Sequence, residues 1–166
     1  MKIEAFSKAD EEGVLRLYKE FNEDRIASGV GDAQYKYIEG EMPWSRTLTD
    51  EDCFTLVLKE KNIVLGFITV RIPQFNPFHK VGKLAEVDLI VVERKLRRKG
   101  IGSFLFNTAQ ANLKTLSVTH ILLNVKVGNL PALNFWHRMG FKKVSDTEYN
   151  RSDGMKEKTV YMVKKV

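Results

Sequence analysis

A basic segment followed by closely spaced glycines is the first part of the sequence that could do chemistry. From Arg94 to Lys99 five of the six residues are basic, and Gly100-Ile101-Gly102 follows directly. The first turn of a helix carries unpaired backbone N–H groups and the positive end of the helix dipole. Glycine lets the backbone approach a phosphate closely, and arginine and lysine add charge. The segment therefore predicts an anion site at the start of a helix.

Two other phosphate-binding patterns do not fit this segment. A Walker loop would end in Gly-Lys-Ser or Gly-Lys-Thr, and the dinucleotide fingerprint needs a third glycine at a set spacing. Read alone, the segment is compatible with two interpretations. It is either a phosphate cradle or a tight strand-to-helix turn with a basic surface.

Two carboxylates stand shortly before the basic segment. Glu86 and Asp88 lie two apart in the apolar run Ala85 to Val92, and alternate residues of a strand share a face. Such a pair can take a proton from an attacking group. It can equally anchor a cationic substrate or form a charged strand edge.

Cysteine and histidine do not indicate a metal site. Cys53 is the one cysteine, so no intrachain disulfide is possible. It stands at the head of an apolar run, where a small packed side chain is a simpler interpretation than a nucleophile. His79 and His120 lack metal-ligand spacing with each other and with Cys53.

The pattern around these residues predicts strands interrupted by helices. We expect strands at 3–6, 54–59, 63–72, 84–92, 120–127, 141–145 and 158–163, and helices at 9–22, 32–39, 102–116 and 131–138. Ser7 to Asp10 resembles a capping box, Glu60-Lys61-Asn62 a hairpin turn, and Gly140 a helix stop. This order indicates a mixed α/β sheet with helices on both faces.

Length and composition are those of one ordinary globular domain, expected over residues 1–166. The chain has 166 residues, 43% of them hydrophobic and 29% charged, so disorder of the whole chain is not expected. No apolar run reaches the roughly 18–20 residues of a membrane span, and Glu4 stands where a signal peptide would carry its apolar core. We therefore expect a cytoplasmic protein. A net charge of +6 fits nucleic acid, a membrane surface or a polyphosphate cofactor.

Two motifs in register resemble the GNAT superfamily of acyl-CoA N-acyltransferases. Their first signature, Arg/Gln-x-x-Gly-x-Gly/Ala after a strand that ends in valine, is filled by Arg97, Gly100 and Gly102 after Val92. The second signature is filled at six positions: Asn129, Ala132, Phe135, Trp136, Gly140 and Phe141. The order of elements agrees along nearly the whole chain. The resemblance implies a mostly antiparallel twisted sheet whose parallel strands 4 and 5 splay apart.

The resemblance also implies an acetyl-CoA site, while the residue spacing described above predicts no metal. The pantetheine arm is expected between the splayed strands, paired with the backbone of Ile90, Val91 and Val92. The pyrophosphate is expected on the first motif, at Arg97, Arg98, Lys99, Gly100, Ile101, Gly102 and Ser103. Asn129, Phe135 and Trp136 are expected beside the pantetheine and the thiol.

The implied reaction is acetyl transfer to a primary amine of a small molecule or peptide, by direct attack in a ternary complex. The backbone N–H of Ile90 is expected to stabilise the oxyanion, and Glu86 or Asp88 to act as general base. A tyrosine commonly protonates the thiolate in this family, but this chain has Trp136 there. His137 is adjacent, but one step along a helix turns a side chain by about 100°, and Tyr149 and Tyr161 are distant candidates. A thiol of pKa near 8.5 can also leave unprotonated.

The acceptor pocket is expected to be aromatic, and the acceptor itself stays open. Ordinary packing is the alternative for its aromatic candidates, Tyr35, Tyr37, Trp44, Phe75 and Phe78. Acids that could attract a cationic amine, or be solvated surface, are Glu39, Glu41, Asp50, Glu51 and Asp52.

Two rival functions remain open from the sequence. A non-catalytic acyl-CoA-binding or sensory module would explain Trp136. A nucleic-acid-binding domain would use the basic run, but the stacking motifs of the common RNA modules are absent. We therefore expect neither a nucleic-acid nor a membrane partner, and leave a homodimer open.

Overall fold

A computed structural model describes residues 1–29, 44–73, 82–150, 154 and 156–166 of the chain. Within them the strands are β1 (Lys2–Ala5), β2 (Cys53–Glu60), β3 (Ile63–Arg71), β4 (Leu84–Val92), β5 (His120–Lys126), β6 (Lys142–Asn150) and β7 (Lys156–Lys165). The α-helices are α1 (Glu11–Ala27), α2 (Ile101–Thr115) and α3 (Leu130–Arg138). The helix expected at 32–39 lies outside the described residues.

The described strands form one mixed sheet, as expected from the sequence. Its order is β1-β2-β3-β4-β5-β7-β6. β4 and β5 are parallel, whereas the other neighbouring pairs are antiparallel. A parallel pair needs a long crossover connection, and α2 provides it between β4 and β5. The fold class predicted from the sequence is confirmed.

Two hydrophobic clusters among the described residues cover opposite faces of the sheet. One packs α2 and α3 on the sheet through residues such as Phe106, Trp136 and Ile121. The other packs α1 on the opposite face through residues such as Leu17 and Phe67. The sheet therefore has an α1 face and an α2/α3 face, and each strand residue can be assigned to one of them.

Local signals set the hairpin and the first helix as predicted. Lys61 and Asn62 have φ of 48° and 65°, the positive values that a two-residue turn needs at both central positions. Ser7 and Asp10 form the expected capping box, but it opens a single 3-10 turn at Lys8–Asp10 before α1 begins. The predicted turn at 60–62 and the predicted cap are confirmed.

Element ends differ from the sequence predictions where tertiary contacts extend them. α1 continues past Asn22 to Ala27, and its added turn carries Asp24, which pairs with arginines beyond β4. β6 continues past Ser145 to Asn150. Most of its residues are exposed at the sheet edge, so it lacks the apolar alternation that would mark its length.

β4 and β5 separate after a short stretch of pairing. Their register runs over three pairs, from Leu84↔His120 to Glu86↔Leu122, although both strands continue beyond it. On its other edge β4 stays paired with β3 up to Val92. A gap therefore opens between the C-terminal halves of β4 and β5, as the splay expected from the sequence requires.

In the described part of the chain no helix is long and apolar enough to span a membrane.

Candidate functional site

A cleft of about 320 Å³ lies where β4 and β5 separate. β4 contributes Val87 to Ile90, and β5 contributes Asn124 to Lys126. Its remaining lining residues come from α1, from α3 and its N-cap, and from β7: Phe21, Arg25, Asn129, Ala132, Trp136 and Thr159. The cleft thus reaches both faces of the sheet, and four of the residues given a catalytic or cofactor-binding role from the sequence line it: Asp88, Ile90, Asn129 and Trp136.

The backbone of Ile90 is directed into this cleft. Glu93 N–H donates to the carbonyl of Leu65 on the β3 side at 2.9 Å. In an antiparallel pair, hydrogen-bonded and non-hydrogen-bonded residues alternate. Counting back along the register from Glu93, Val91 bonds to β3, whereas Ile90 and Val92 direct their N–H and C=O groups to the opposite side. Of the three residues expected to pair with pantetheine, Ile90 and Val92 thus have the suitable backbone orientation.

A β-bulge at Asp88 changes which side chains of β4 face the cleft. The register with β3 shifts there, from Val70↔Val87 to Thr69↔Leu89. Before the bulge Ala85 and Val87 pack on the α2/α3 face; after it, Ile90 and Val92 do. An extra residue in a strand produces such a change. Glu86 and Asp88 consequently share the α1 face, and Ile90 still presents its backbone to the gap.

Arg71 joins the two carboxylates into a cluster. Its Nη2 donates to Glu86 Oε2 at 2.7 Å and lies 3.5 Å from Asp88 Oδ1. Burial raises the pKa of both carboxyl groups, and the charge of Arg71 opposes that rise. Raised carboxyl pKa values bring a base closer to its working range. The two carboxylates share a face as predicted, while their assignment as base stays a prediction.

The start of α2 has the backbone conformation of an anion site. Gly100 precedes the helix with φ of 82°, and Arg98 has φ of 58°. The first intrahelical bond described is Phe104 N–H to Gly100 C=O, at 2.9 Å. The N–H groups of Ile101, Gly102 and Ser103 precede this bond, so they are available for an anion.

In the basic run, two arginines pair with α1, and the other three basic side chains have a different surrounding. Arg94 and Arg97 pair with Asp24 of α1, and Arg97 Nε also donates to Val92 C=O at 2.9 Å. Burial raises the pKa of Asp24, but hydrogen bonds from Arg97 and Arg94 outweigh it and lower that pKa. The other basic side chains of the run, Lys95, Arg98 and Lys99, are exposed beside the α2 N-terminus.

The second motif forms one wall of the cleft. Asn129 caps α3, because its Oδ1 accepts from Ala132 N–H at 3.2 Å. A Cβ at Gly102 would lie 3.4 Å from the Phe135 ring, so the two motifs meet there. Trp136 is 5% exposed and packs against Phe135, Phe106 and Phe141.

The expected substitutes for a tyrosine acid are not brought to the cleft by their described contacts. His137 is exposed on α3, and Tyr161 is not among the cleft-lining residues. The side chain of Tyr149 lies outside the described part of the chain. Among the described residues that line the cleft, no tyrosine or histidine therefore takes over the role of the acid that Trp136 replaces.

The acceptor side is described only in part. Trp44 is fully buried between Tyr18 and Phe67, so for this residue packing is the better interpretation. Asp50 and Glu51 are exposed and Asp52 is partly buried. The other acceptor candidates lie outside the described residues: Tyr35, Tyr37, Phe75, Phe78, Glu39 and Glu41.

Several polar residues at the site were not predicted from the sequence. Arg71 is the last residue of β3, and Asn124 and Thr159 line the cleft from β5 and β7. Thr159 is 3% exposed, and its hydroxyl has no hydrogen-bond partner within the described residues. The register of β3 and β4 brings Arg71 to Glu86, and no local motif marks any of these three residues.

The remaining candidates do not form a second chemical site. Cys53 is buried and burial raises the pKa of its thiol, which supports its interpretation as a packed side chain. His79 lies outside the described residues, and within them no three His, Cys, Asp or Glu side chains are grouped as a metal site would need. A groove of about 740 Å³ lies along α1 and the β2–β3 hairpin, lined by charges of both signs.

Comparison with known proteins agrees with this geometry. The model of the Acetyltransferase (GNAT) family matches residues 12–141. An N-alpha-acetyltransferase of Sulfurisphaera tokodaii is 30% identical over 96 residues, or 55% of this chain and 58% of the relative. One of Saccharolobus solfataricus is 32% identical over 98 residues, or 56% and 59%. These matches span less than two thirds of the curated relatives.

Solved structures share the fold at low sequence identity. The ribosomal-protein-alanine N-acetyltransferase of Brucella melitensis has a TM-score of 0.76 at 19% identity, covering 100% of both chains. Ard1 of Thermoplasma volcanium has a TM-score of 0.76 at 21% identity, covering 99% of this chain and 97% of its own. The structure of yncA from Salmonella typhimurium with its cofactor acetyl-CoA has a TM-score of 0.73 at 17% identity, covering 99% and 93%.

Proposed function

Because this chain belongs to the acetyltransferase (GNAT) family, we propose that it moves an acetyl group from acetyl-CoA to a primary amine by direct attack in a ternary complex. The favoured acceptor is the α-amine of a peptide or protein N-terminus. We further propose that residues 1–166 act as one domain and that the reaction takes place in the cytoplasm.

The residues that would hold acetyl-CoA follow the course of β4 and α2. The N–H groups that open α2 and the exposed Lys95, Arg98 and Lys99 suit the pyrophosphate, because they combine backbone donors with positive charge. The Ile90 and Val92 backbones suit the pantetheine amides in the gap beside β4. Asn129, Phe135 and Trp136 would flank the thiol end.

The proposed reaction forms a C–N bond and breaks the C–S bond of the thioester. Asp88 or Glu86 takes a proton from the amine, in part through water, so that the nitrogen lone pair can attack. The N–H of Ile90 stabilises the negative oxygen of the tetrahedral intermediate. The electron pair of the C–S bond leaves with sulfur, and a thiolate can depart unprotonated because thiols have a pKa near 8.5.

Two arguments favour a peptide α-amine. The curated relatives are N-alpha-acetyltransferases by name. An α-amine has an ordinary pKa of about 7.7–8.0, against about 10.4 for a lysine side chain. A larger fraction of the α-amine is therefore already unprotonated at neutral pH. The α-amine of a peptide is therefore the easier nucleophile for this site.

The observation that carries the proposal is the cleft at the splay. There the gap beside Ile90 adjoins the Asp88 carboxylate, which lies on the α1 face. The N–H group that we propose as oxyanion donor and the carboxylate that we propose as base thus border the same opening between two strands. This arrangement is what attack of an amine on a bound thioester needs.

Following free thiol tests the proposal. The protein is incubated with acetyl-CoA and three acceptors: a peptide with a free N-terminus and no lysine, an N-blocked peptide with one lysine, and a small diamine. We expect thiol release and peptide mass increase chiefly with the first. Thiol release equal to the amine-free background for all three acceptors would refute the proposed enzymatic activity.

A non-catalytic acyl-CoA-binding module is the second candidate, and Trp136 is the observation that favours it. A buried indole in the place of the acid leaves no side-chain proton for the thiolate. Calorimetry with CoA separates the two candidates when it is combined with the thiol assay. Tight CoA binding without thiol release would support the module.

A further inference from the structure

Arg71 is the most exposed member of its cluster with Glu86 and Asp88. Its side chain is 36% exposed, against 24% for Glu86 and 16% for Asp88. One nitrogen, Nη2, contacts both carboxylates, and a guanidinium has five N–H donors. Within the described residues neither Nη1 nor Nε has a hydrogen-bond partner, and because Nε is buried, Nη1 is the donor nitrogen left for a ligand. The exposed end of Arg71 therefore offers donors to a ligand.

The charge of the cluster suits a ligand with a cationic group beside an oxygen. Two carboxylates and one guanidinium leave one negative charge, which a single ammonium balances. The carboxylates attract the ammonium, while the free N–H donors of Arg71 need an acceptor oxygen. The two kinds of group are held together by a 2.7 Å hydrogen bond. A ligand must thus present its nitrogen and its oxygen close to one another.

We propose that Arg71 is a specificity-determining residue that binds the carbonyl oxygen next to the acceptor amine. This inference rests on the proposed function. In a peptide N-terminus the amine and the first carbonyl are attached to the same Cα, so both reach the cluster together. A lysine side-chain amine has only methylene groups beside it. Arg71 therefore selects α-amines by their carbonyl, independently of how readily they lose a proton.

Two small acceptors separate the contribution of the carbonyl from that of the amine. Alaninamide and isopropylamine both carry an amine on a branched carbon with a methyl group, and only the first has the carbonyl. We expect the Arg71→Gln substitution to lower the ratio of kcat/KM for alaninamide over isopropylamine by roughly 10- to 100-fold, the range of a hydrogen bond to a charged group. The loss should fall mainly on the KM of alaninamide. Comparing this ratio between the variant and the unsubstituted protein cancels the difference in basicity between the two amines, because that difference is the same for both proteins.

Matched variants keep the inference open to refutation. Arg46→Gln removes an exposed charge that acts on Asp88 from a distance, and it should leave the ratio within about 2-fold. Arg71→Lys keeps the charge but loses the planar fork, and it should lower the ratio even if Arg71→Gln does not fold. CoA binding by calorimetry checks that each variant is folded.

The outcomes separate this inference from the proposed function. An unchanged ratio in a folded, active Arg71 variant overturns the role of Arg71 and leaves the acetyltransferase intact. An equal loss with both amines does the same, because it assigns Arg71 to holding the carboxylates alone. If the unsubstituted protein acetylates neither amine nor any peptide, the proposed function fails, and this inference fails with it.

Discussion

The two ends of β4 are built for recognition by different means. Beyond its C-terminal end, the α2 N-terminus offers backbone N–H groups, with Gly100 at φ of 82°. Nearer its N-terminal end, Glu86 and Asp88 offer side-chain charge held by Arg71 of the neighbouring strand. A backbone site depends on a local conformation, whereas a side-chain site depends on strand register. The first end should therefore fail when the backbone is obstructed, and the second when a single functional group is removed.

The largest effect is expected at the backbone end. Gly102→Glu places a side chain and a negative charge where the pyrophosphate would lie, so CoA affinity should fall at least about 100-fold, the scale of losing two or more charge-assisted hydrogen bonds. Calorimetry with CoA measures this. Gly102→Ala is the matched control, since a Cβ there makes ordinary contacts with Phe135 and should leave the fold intact. Full CoA affinity in a folded Gly102→Glu protein would contradict the assignment of the cradle.

The next effect separates the carboxylate end from the backbone end. Asp88→Asn keeps the shape but removes the base, so kcat should fall by roughly 10²- to 10⁴-fold, while CoA affinity stays unchanged. Glu86→Gln is the paired variant, and the larger loss of the two identifies the base. Equal and small losses, below about 3-fold in both, would mean that neither carboxylate takes the proton.

A smaller effect is expected in stability and its dependence on pH. Burial raises the folded-state pKa of Asp88 despite Arg71. The protonated form is thus favoured in the folded protein, and this contribution is present below the unfolded pKa and lost as pH rises through the folded pKa. Asp88→Asn should therefore be more stable relative to the unsubstituted protein at pH 7.5 than at pH 4. Urea unfolding of both proteins at the two pH values measures the difference, and the opposite trend would show that Arg71 outweighs burial.

The smallest effect on rate is expected at Trp136. Since an indole supplies no useful proton, Trp136→Phe should leave kcat within about 3-fold at saturating acetyl-CoA. The lost packing against Phe106 and Phe141 should cost about 1–2 kcal/mol of unfolding free energy, by analogy with other large-to-small core substitutions. Thermal unfolding and the thiol assay measure the two quantities. A large loss of kcat without loss of CoA affinity would assign Trp136 a part in the chemistry.

The same contrast explains what could be predicted from the sequence. β4 was predicted with its observed bounds, Leu84–Val92, because a long apolar run between polar segments admits few alternatives. The α2 N-terminus was predicted because its conformation requires glycine, and glycine is visible in the sequence. The residues expected to hold the cofactor and the base remain predictions about binding and chemistry, but their placement in the fold followed from local patterns.

The rest could not be predicted because it depends on contacts distant in sequence. Arg71 meets Glu86 through the antiparallel register of β3 and β4, and no pattern near Arg71 indicates that register. α1 extends to Ala27 where Asp24 meets Arg94 and Arg97. The exposed edge strand β6 has no apolar alternation that would mark its end. In each case a partner outside the local segment decides the outcome.

The bulge at Asp88 decides which side chains of each half of β4 face the α2/α3 side of the sheet. Residues before it face the α2/α3 side at odd positions, and residues after it do so at even positions. Deleting Asp88 itself would remove the bulge and leave both halves of the strand on their present faces, because Asp88 is the extra residue in the pairing with β3. An insertion in either regular half would instead need a second bulge, or it would exchange inside and outside for the residues beyond it. We therefore expect β4 to keep its packing when Asp88 is deleted, with loss of that carboxylate, and to lose its packing when a residue is inserted away from the bulge.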